Sequence, residues 1–169
     1  MGQMEFLYDS IYEAGKKENI INFGTYAVNS LRMEKAYRGW GAELTGEISL
    51  VEAGMDRFFN LKKKNNFFGA KALQHKVQSG VDIKIVYLEV DVEDADARGN
   101  EPVYHNNKIV GVVTSGGYGF RTKKSLAFAY VKSNLANGGN LEIEIQGQKR
   151  KAKILDKVVY DPDNKKLRS

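Results

Sequence analysis

The chain has 169 residues, enough for one domain or two small ones, with 42% apolar residues to form a core and 28% charged residues to keep its surface wet. It has no cysteine, which excludes a disulfide framework, a thiolate metal site and a thiol nucleophile. Seventeen glycines against 2 prolines fit an ordered, turn-rich protein, and no apolar run approaches the roughly 20 residues that cross a bilayer.

The formal net charge is +5, and lysines gather at Lys62-Lys-Lys64, Arg121-Thr-Lys-Lys124 and Lys149-Arg-Lys-Ala-Lys153. A nucleic-acid surface needs such clusters to converge and to be interleaved with aromatics. Here they fall on separate loops and strands, so solvated strand edges are the expected reading, with no nucleic-acid partner. The N-terminus lacks the basic and apolar regions of a secretory signal, and Phe6 occupies the place where a myristoylation pattern wants Ser or Thr. A cytoplasmic location with no membrane partner is the default expectation.

In chain order, Met4, Leu7, Tyr8, Ile11 and Tyr12 recur at helical spacing before Gly15, which predicts an amphipathic helix over residues 3–14. From Tyr26 to Tyr37 there is no Gly or Pro, which predicts a second helix capped by Thr25 and closed by Gly39 and Gly41. Glu34 and Arg38 are one turn apart on it and are expected to pair. Residues 41–54 read as an irregular connection and Arg57-Phe-Phe-Asn-Leu61 as a short strand. Asn65-Asn-Phe-Phe-Gly69 reads as a turn into a third helix, Ala70 to Gln78, ended by Gly80.

Beyond Gly80 the period changes to that of strands. Ile83 to Val90 is apolar on both alternations, so it should be covered on both faces. Asp91 to Asn100 is acidic and turn-like. Pro102-Val-Tyr104 and Ile109 to Val113 flank His105-Asn-Asn-Lys108 as a hairpin. Leu126, Phe128 and Tyr130 alternate with small residues, and Leu141, Ile143 and Ile145 alternate with Glu142 and Glu144. Gln146-Gly-Gln148 turns into a strand near 149–155, and Val158-Val-Tyr160 reads as a last short one. About six antiparallel strands predict a small barrel, so the fold class is α+β: a helical segment over residues 1–80, then a β-barrel over 81–165.

Five motifs, in order, resemble the second half of the glycine-cleavage T-protein (aminomethyltransferase) superfamily. They are Ser30-Leu-Arg-Met-Glu-Lys-Ala-Tyr-Arg-Gly-Trp-Gly41, Val51-Glu-Ala-Gly54, Phe67-Phe-Gly-Ala-Lys-Ala-Leu73, Ile109 to Gly119 and Ser125-Leu-Ala-Phe-Ala-Tyr-Val131. The wording from Glu34 to Gly41 is closer to the folate-binding halves of dimethylglycine and sarcosine dehydrogenases. The resemblance implies tetrahydrofolate as cofactor, shared with an N-terminal half that carries the catalytic aspartate, and FAD only in a fusion to a dehydrogenase half. It implies capture of a one-carbon unit at the formaldehyde oxidation level. A non-catalytic barrel that docks on a partner subunit is the alternative.

The resemblance also assigns residues. Arg32 matches a folate-binding arginine and is expected to grip a carboxylate of the glutamyl tail with two parallel hydrogen bonds. Tyr37 and Trp40 would stack on or wall the pterin, and Tyr118 would line the site from the barrel. No catalytic residue and no metal ligand is assigned within the chain. Glu52 matches a family hallmark but is read as a loop brace. A second folate-contacting arginine of the T-protein is Asn137 here, which favours the dehydrogenase-type branch. Thr114-Ser-Gly-Gly-Tyr-Gly119 is glycine-rich yet lacks a phosphate-loop lysine, and His75 and His105 lack ligand-spaced partners. The helices should expose apolar surface through Leu7 and Ile11, so the isolated chain is expected to self-associate.

Overall fold

The computed structural model describes residues 2–63 and 67–168; Lys64 of the first basic cluster and Asn65-Asn66 of the predicted turn lie outside the described residues. Helices α1 (Met4–Gly15), α2 (Thr25–Glu34) and α3 (Ala70–Ser79) precede six strands, and a short helix, α4 (Lys165–Arg168), ends the chain. The strands are β1 (Ile83–Val90), β2 (Pro102–His105), β3 (Lys108–Gly119), β4 (Lys124–Lys132), β5 (Leu141–Ile145) and β6 (Gln148–Ile154). They form a closed barrel in the order β1-β4-β3-β2-β5-β6, with antiparallel pairing throughout. Closure satisfies every strand edge, which small antiparallel sheets otherwise leave open to other chains.

Alternation on β1 and β4 builds two cores at once. Val86, Leu88, Val90, Ala127, Ala129 and Val131 fill the barrel interior. The intervening Ile85, Tyr87, Leu126, Phe128 and Tyr130 face outward and are covered by Met33 and Ala36. That outer layer explains why β1 reads as apolar on both alternations, and on β4 the small residues that alternate with Leu126, Phe128 and Tyr130 are the ones that face the interior. The β2–β3 hairpin turns at Asn106 and Asn107, both at positive φ (51° and 59°), as the Asn pair predicts.

Several local expectations are corrected. Helix α2 stops at Glu34, three residues short of Tyr37, in a Schellman closure: Tyr37 N donates to Arg32 O (2.9 Å) and Ala36 N to Met33 O (3.0 Å). The left-handed residue is Ala36 (φ 51°), not a glycine, because its methyl group belongs to the outer core under which the chain turns. Thr25 is the first helical residue and Gly24 the cap, with no side-chain capping bond. Glu34 and Arg38 do not pair. Once the helix has ended they point apart, Glu34 to the β3–β4 turn and Arg38 to the carbonyls of Ala36 and Ala53.

Residues 56–58 form a 3-10 turn rather than the predicted strand at 57–61. Val158–Tyr160 is likewise no strand: it packs on the outer core, and Tyr160 N donates to Glu34 O (3.2 Å), closing the tail over the end of α2. The glycine-rich 114–119 run is the second half of β3. A Cβ at Gly116 would clash with Ala97 O, and one at Gly119 would lie 2.8 Å from Glu34 Cγ. The glycines there let a loop and α2 approach β3 closely.

Candidate functional site

The last turns of α2 and the loop to Leu44 lie across β3. Asn29 Nδ2 donates to Gly116 O (3.1 Å) and Ser30 Oγ to Tyr118 O (2.8 Å), so the helix hangs from alternate carbonyls of one strand. Between them Arg32 is immobilised. Its Nε donates to Asn29 Oδ1 (3.0 Å), and its Nη1 to Tyr37 O (3.1 Å) and to Glu43 Oε2 (3.2 Å). Its side chain is 20% exposed, and Nη2 has no partner among the described residues. Three donors are therefore committed internally, leaving one nitrogen, rather than a two-pronged fork, for an outside acceptor.

Glu43 is the anchor that sequence reasoning passes over. Its side chain is 0% exposed. Gly39 N (2.7 Å), Thr114 Oγ1 (2.7 Å) and Ser115 Oγ all donate to its carboxylate, besides Arg32. Tyr130 OH donates to its carbonyl (2.8 Å). A buried carboxylate is tolerated only with such a full set of donors. Nothing in periodicity marks Glu43, because Thr114, Ser115 and Tyr130, three of its five donors, come from β3 and β4, 71 or more residues away.

Burial, with the Glu43 carboxylate second, pushes the Tyr130 hydroxyl up to about 12. Burial also lowers the Arg38 guanidinium, which lies over the Phe128 ring (5.5 Å). Glu34 forms a second buried anchor: Arg121 N (2.8 Å), Thr122 N (2.7 Å) and Thr122 Oγ1 (3.1 Å) donate to one of its oxygens. Glu52 braces its loop as expected, accepting from Ser49 N (2.7 Å), Ser49 Oγ (2.6 Å) and Lys76 Nζ (2.9 Å). Burial pushes its carboxyl up, but the two Ser49 bonds and the Lys76 ammonium together hold it below its ordinary value.

The four assigned residues are only partly brought together. Arg32 and Tyr37 meet through the Tyr37 carbonyl, and the Tyr37 ring is exposed. Trp40 is 83% exposed beside the buried Gly39–Glu43 contact. The Tyr118 ring instead packs edge-on to Phe120 (5.2 Å between centroids) at a broad depression of about 1790 Å³, which Asn137 also lines. Two of the basic clusters converge there instead of dispersing: Lys123, Lys124, Lys151 and Lys153 share that depression with the acidic loop. Lys124 pairs with Glu89 (2.6 Å) and Arg150 with Asp94 (2.8 Å). His105 bridges Asn140 O and Asn106 Nδ2 within the hairpin region. No group of three or more metal-ligating side chains occurs among the described residues.

Two family models match the chain, the GCVT N-terminal domain over residues 1–63 and the glycine cleavage T-protein C-terminal barrel domain over residues 84–161. Human mitochondrial dimethylglycine dehydrogenase is 42% identical over 164 residues, 95% of this chain and 19% of that protein. An aminomethyltransferase of Synechocystis is 32% identical over 143 residues, 84% of this chain and 38% of that protein. The chain thus spans about a fifth of the first of these relatives. The crystal structure of the glycine cleavage system aminomethyltransferase T of Bartonella henselae superposes with a TM-score of 0.82 at 24% identity, over 95% of this chain and 45% of that one, a likeness of fold. Together with the closed barrel and the motifs from Ser30 to Val131, these matches make the chain a member of the glycine-cleavage T-protein (aminomethyltransferase) superfamily.

Proposed function

We propose that the chain is the C-terminal portion of a tetrahydrofolate-dependent one-carbon transfer protein and supplies one wall of the folate site around Arg32. The carrying observation is a helix-borne guanidinium held on three sides by Asn29, Tyr37 O and Glu43, with Nη2 left over. That donor fits a single carboxylate or carbonyl oxygen of folate, and the exposed Trp40 and Tyr37 rings offer flat surface nearby in sequence. Bound tetrahydrofolate would supply the amine that takes up a one-carbon unit to give methylenetetrahydrofolate. The residues of this chain bind and orient; the carboxylate that assists the chemistry belongs to an N-terminal half. FAD would enter only in a fusion to a dehydrogenase half; the human relative is by name a dehydrogenase.

The surface of residues 2–63 supports an absent half. Helix α1 buries no residue, and Phe6, Leu7, Ile11, Ile21, Phe23 and Tyr26 are exposed. So much apolar surface in one segment is what a covering partner removes from water. More than half of the Bartonella protein has no counterpart in this chain, which is material enough to cover it. The same exposed faces favour the second reading, a non-catalytic module docked on a partner subunit.

The test is calorimetric titration of folinate into the chain combined with its N-terminal half. Arg32→Ala should weaken binding by about 1.5–3 kcal/mol, the scale of a hydrogen bond to a charged group. Equal affinities would remove Arg32 from the site. The 169 residues alone should not turn over, because half a pocket cannot position the reacting groups.

A further inference from the structure

The buried carboxylate of Glu43 has no role in ligand contact, since its exposure is 0%. Its position does have a consequence for Arg32. An arginine side chain has many rotamers, and a ligand that must order it loses affinity; a guanidinium held before the ligand arrives avoids that loss. Two of the three groups that hold Arg32 are side chains, and both stand on the same short stretch of β3. One is Asn29, whose Oδ1 accepts from Arg32 Nε while its Nδ2 donates to Gly116 O. The other is Glu43, whose Oε2 accepts from Arg32 Nη1 while Thr114 and Ser115 donate to its Oε1. Between Val113 and Ser115 the pairing of β3 with β4 slips in register, the mark of a bulge. A regular strand sends neighbouring side chains to opposite faces, and a bulge re-aims one of them. Here the hydroxyls of two consecutive residues reach the same carboxylate oxygen.

We propose that Glu43, held by Thr114 and Ser115 at the β3 bulge, is the positioning residue that fixes Arg32 for ligand binding, so that a barrel strand sets the affinity of a guanidinium on the preceding helix. The proposal rests on the reading that Arg32 contacts the ligand. Glu43 acts through Arg32 and touches no ligand atom itself. Its charge holds the guanidinium, and the two hydroxyls hold the charge. A merely structural Glu43 would lower stability without any dependence on Arg32.

The test is folinate titration of the chain joined to its N-terminal half, with thermal midpoints measured alongside. Glu43→Gln keeps the shape and removes the charge, and should weaken binding about tenfold, as the loss of a charge-assisted hydrogen bond does. Thr114→Val should weaken it about fivefold, and Thr114→Ser, which restores the hydroxyl, should return it to the wild-type value. In an Arg32→Ala background Glu43→Gln should add no further loss, because its effect runs through the missing guanidinium. If Glu43→Gln does not fold, the Thr114→Val and Thr114→Ser pair decides, since neither touches the Arg32–Glu43 contact directly. An undiminished loss on adding Glu43→Gln to Arg32→Ala would overturn the inference, as would wild-type affinity in Glu43→Gln and Thr114→Val beside a weakened Arg32→Ala. Wild-type affinity in Arg32→Ala would overturn the reading of the site, and this inference with it.

Discussion

The barrel and the segment before it solve the burial of apolar side chains differently. In the barrel, β1 and β4 hide both faces, one in the interior and one beneath α2 and the tail. In the segment before it, α1 hides none of its residues, and the exposed Phe, Ile and Tyr side chains run from Phe6 to Tyr26. The barrel interior is complete by itself because closure leaves no edge and fills its centre, whereas an amphipathic helix needs another surface to be complete. Stability should therefore concentrate in the barrel, and docking capacity in the helices.

The sharpest way to break this contrast is a pair of matched truncations. Phe128 is fully buried between β4, Tyr87 (5.1 Å between ring centroids) and the Arg38 guanidinium, so Phe128→Ala should cost about 3–5 kcal/mol in denaturant unfolding of the chain. Phe6→Ala on exposed α1 should change it by no more than about 0.5 kcal/mol, while reducing self-association in sedimentation. Equal costs would mean that α1 is packed in solution and that the contrast is false.

Acid and alkali should separate the two regions. Glu52 ties the 49–54 loop to α3 through Lys76, and its folded pKa lies below the ordinary 4.5. The folded state therefore binds its proton less readily than the unfolded one. Its contribution is complete above pH 4.5 and is lost as pH falls through the lowered value. Tyr130 in the barrel has the opposite sense: raised from 10.0 to about 12, it contributes fully below pH 10.0, and that contribution fades as pH rises through about 12. Amide exchange should show α3 and its loop loosening first in acid and β4 first in alkali. Glu52→Gln should flatten the acid limb and Tyr130→Phe the alkaline one. Unchanged limbs would detach these groups from the stability of their regions.

The smallest expected effect sits at the seam. Ala36 stands left-handed where α2 ends, a strain of roughly 1 kcal/mol that glycine would relieve. Its methyl group is buried in the outer core, worth about 0.8 kcal/mol. Ala36→Gly should therefore leave the unfolding free energy nearly unchanged. A loss above about 1 kcal/mol would show that packing, rather than backbone strain, governs the seam.

The sequence by itself determined the shift from helical to strand period at Gly80, the Asn106-Asn107 turn, the alternation of β5 and the family motifs, because each depends on neighbours within a few residues. A motif also raised the expectation that Arg32 contacts a ligand. What the sequence did not reveal are the features whose partners arrive from far along the chain. Helix α2 ends at Glu34 and is closed not by Gly39 but by the left-handed Ala36, where the outer core accepts a methyl group. Val158–Tyr160 looked like a strand by composition, yet all the barrel's edges were already paired, so it became a strap across α2. The spacing of Glu34 predicts a pair with Arg38 and nothing local marks Glu43, yet the β3–β4 turn and the β3 bulge, brought against α2 by the fold, supply donors that keep both buried. Tertiary structure decided these points because a buried charge is stable only where several donors converge, and that convergence is set by the fold rather than by local sequence.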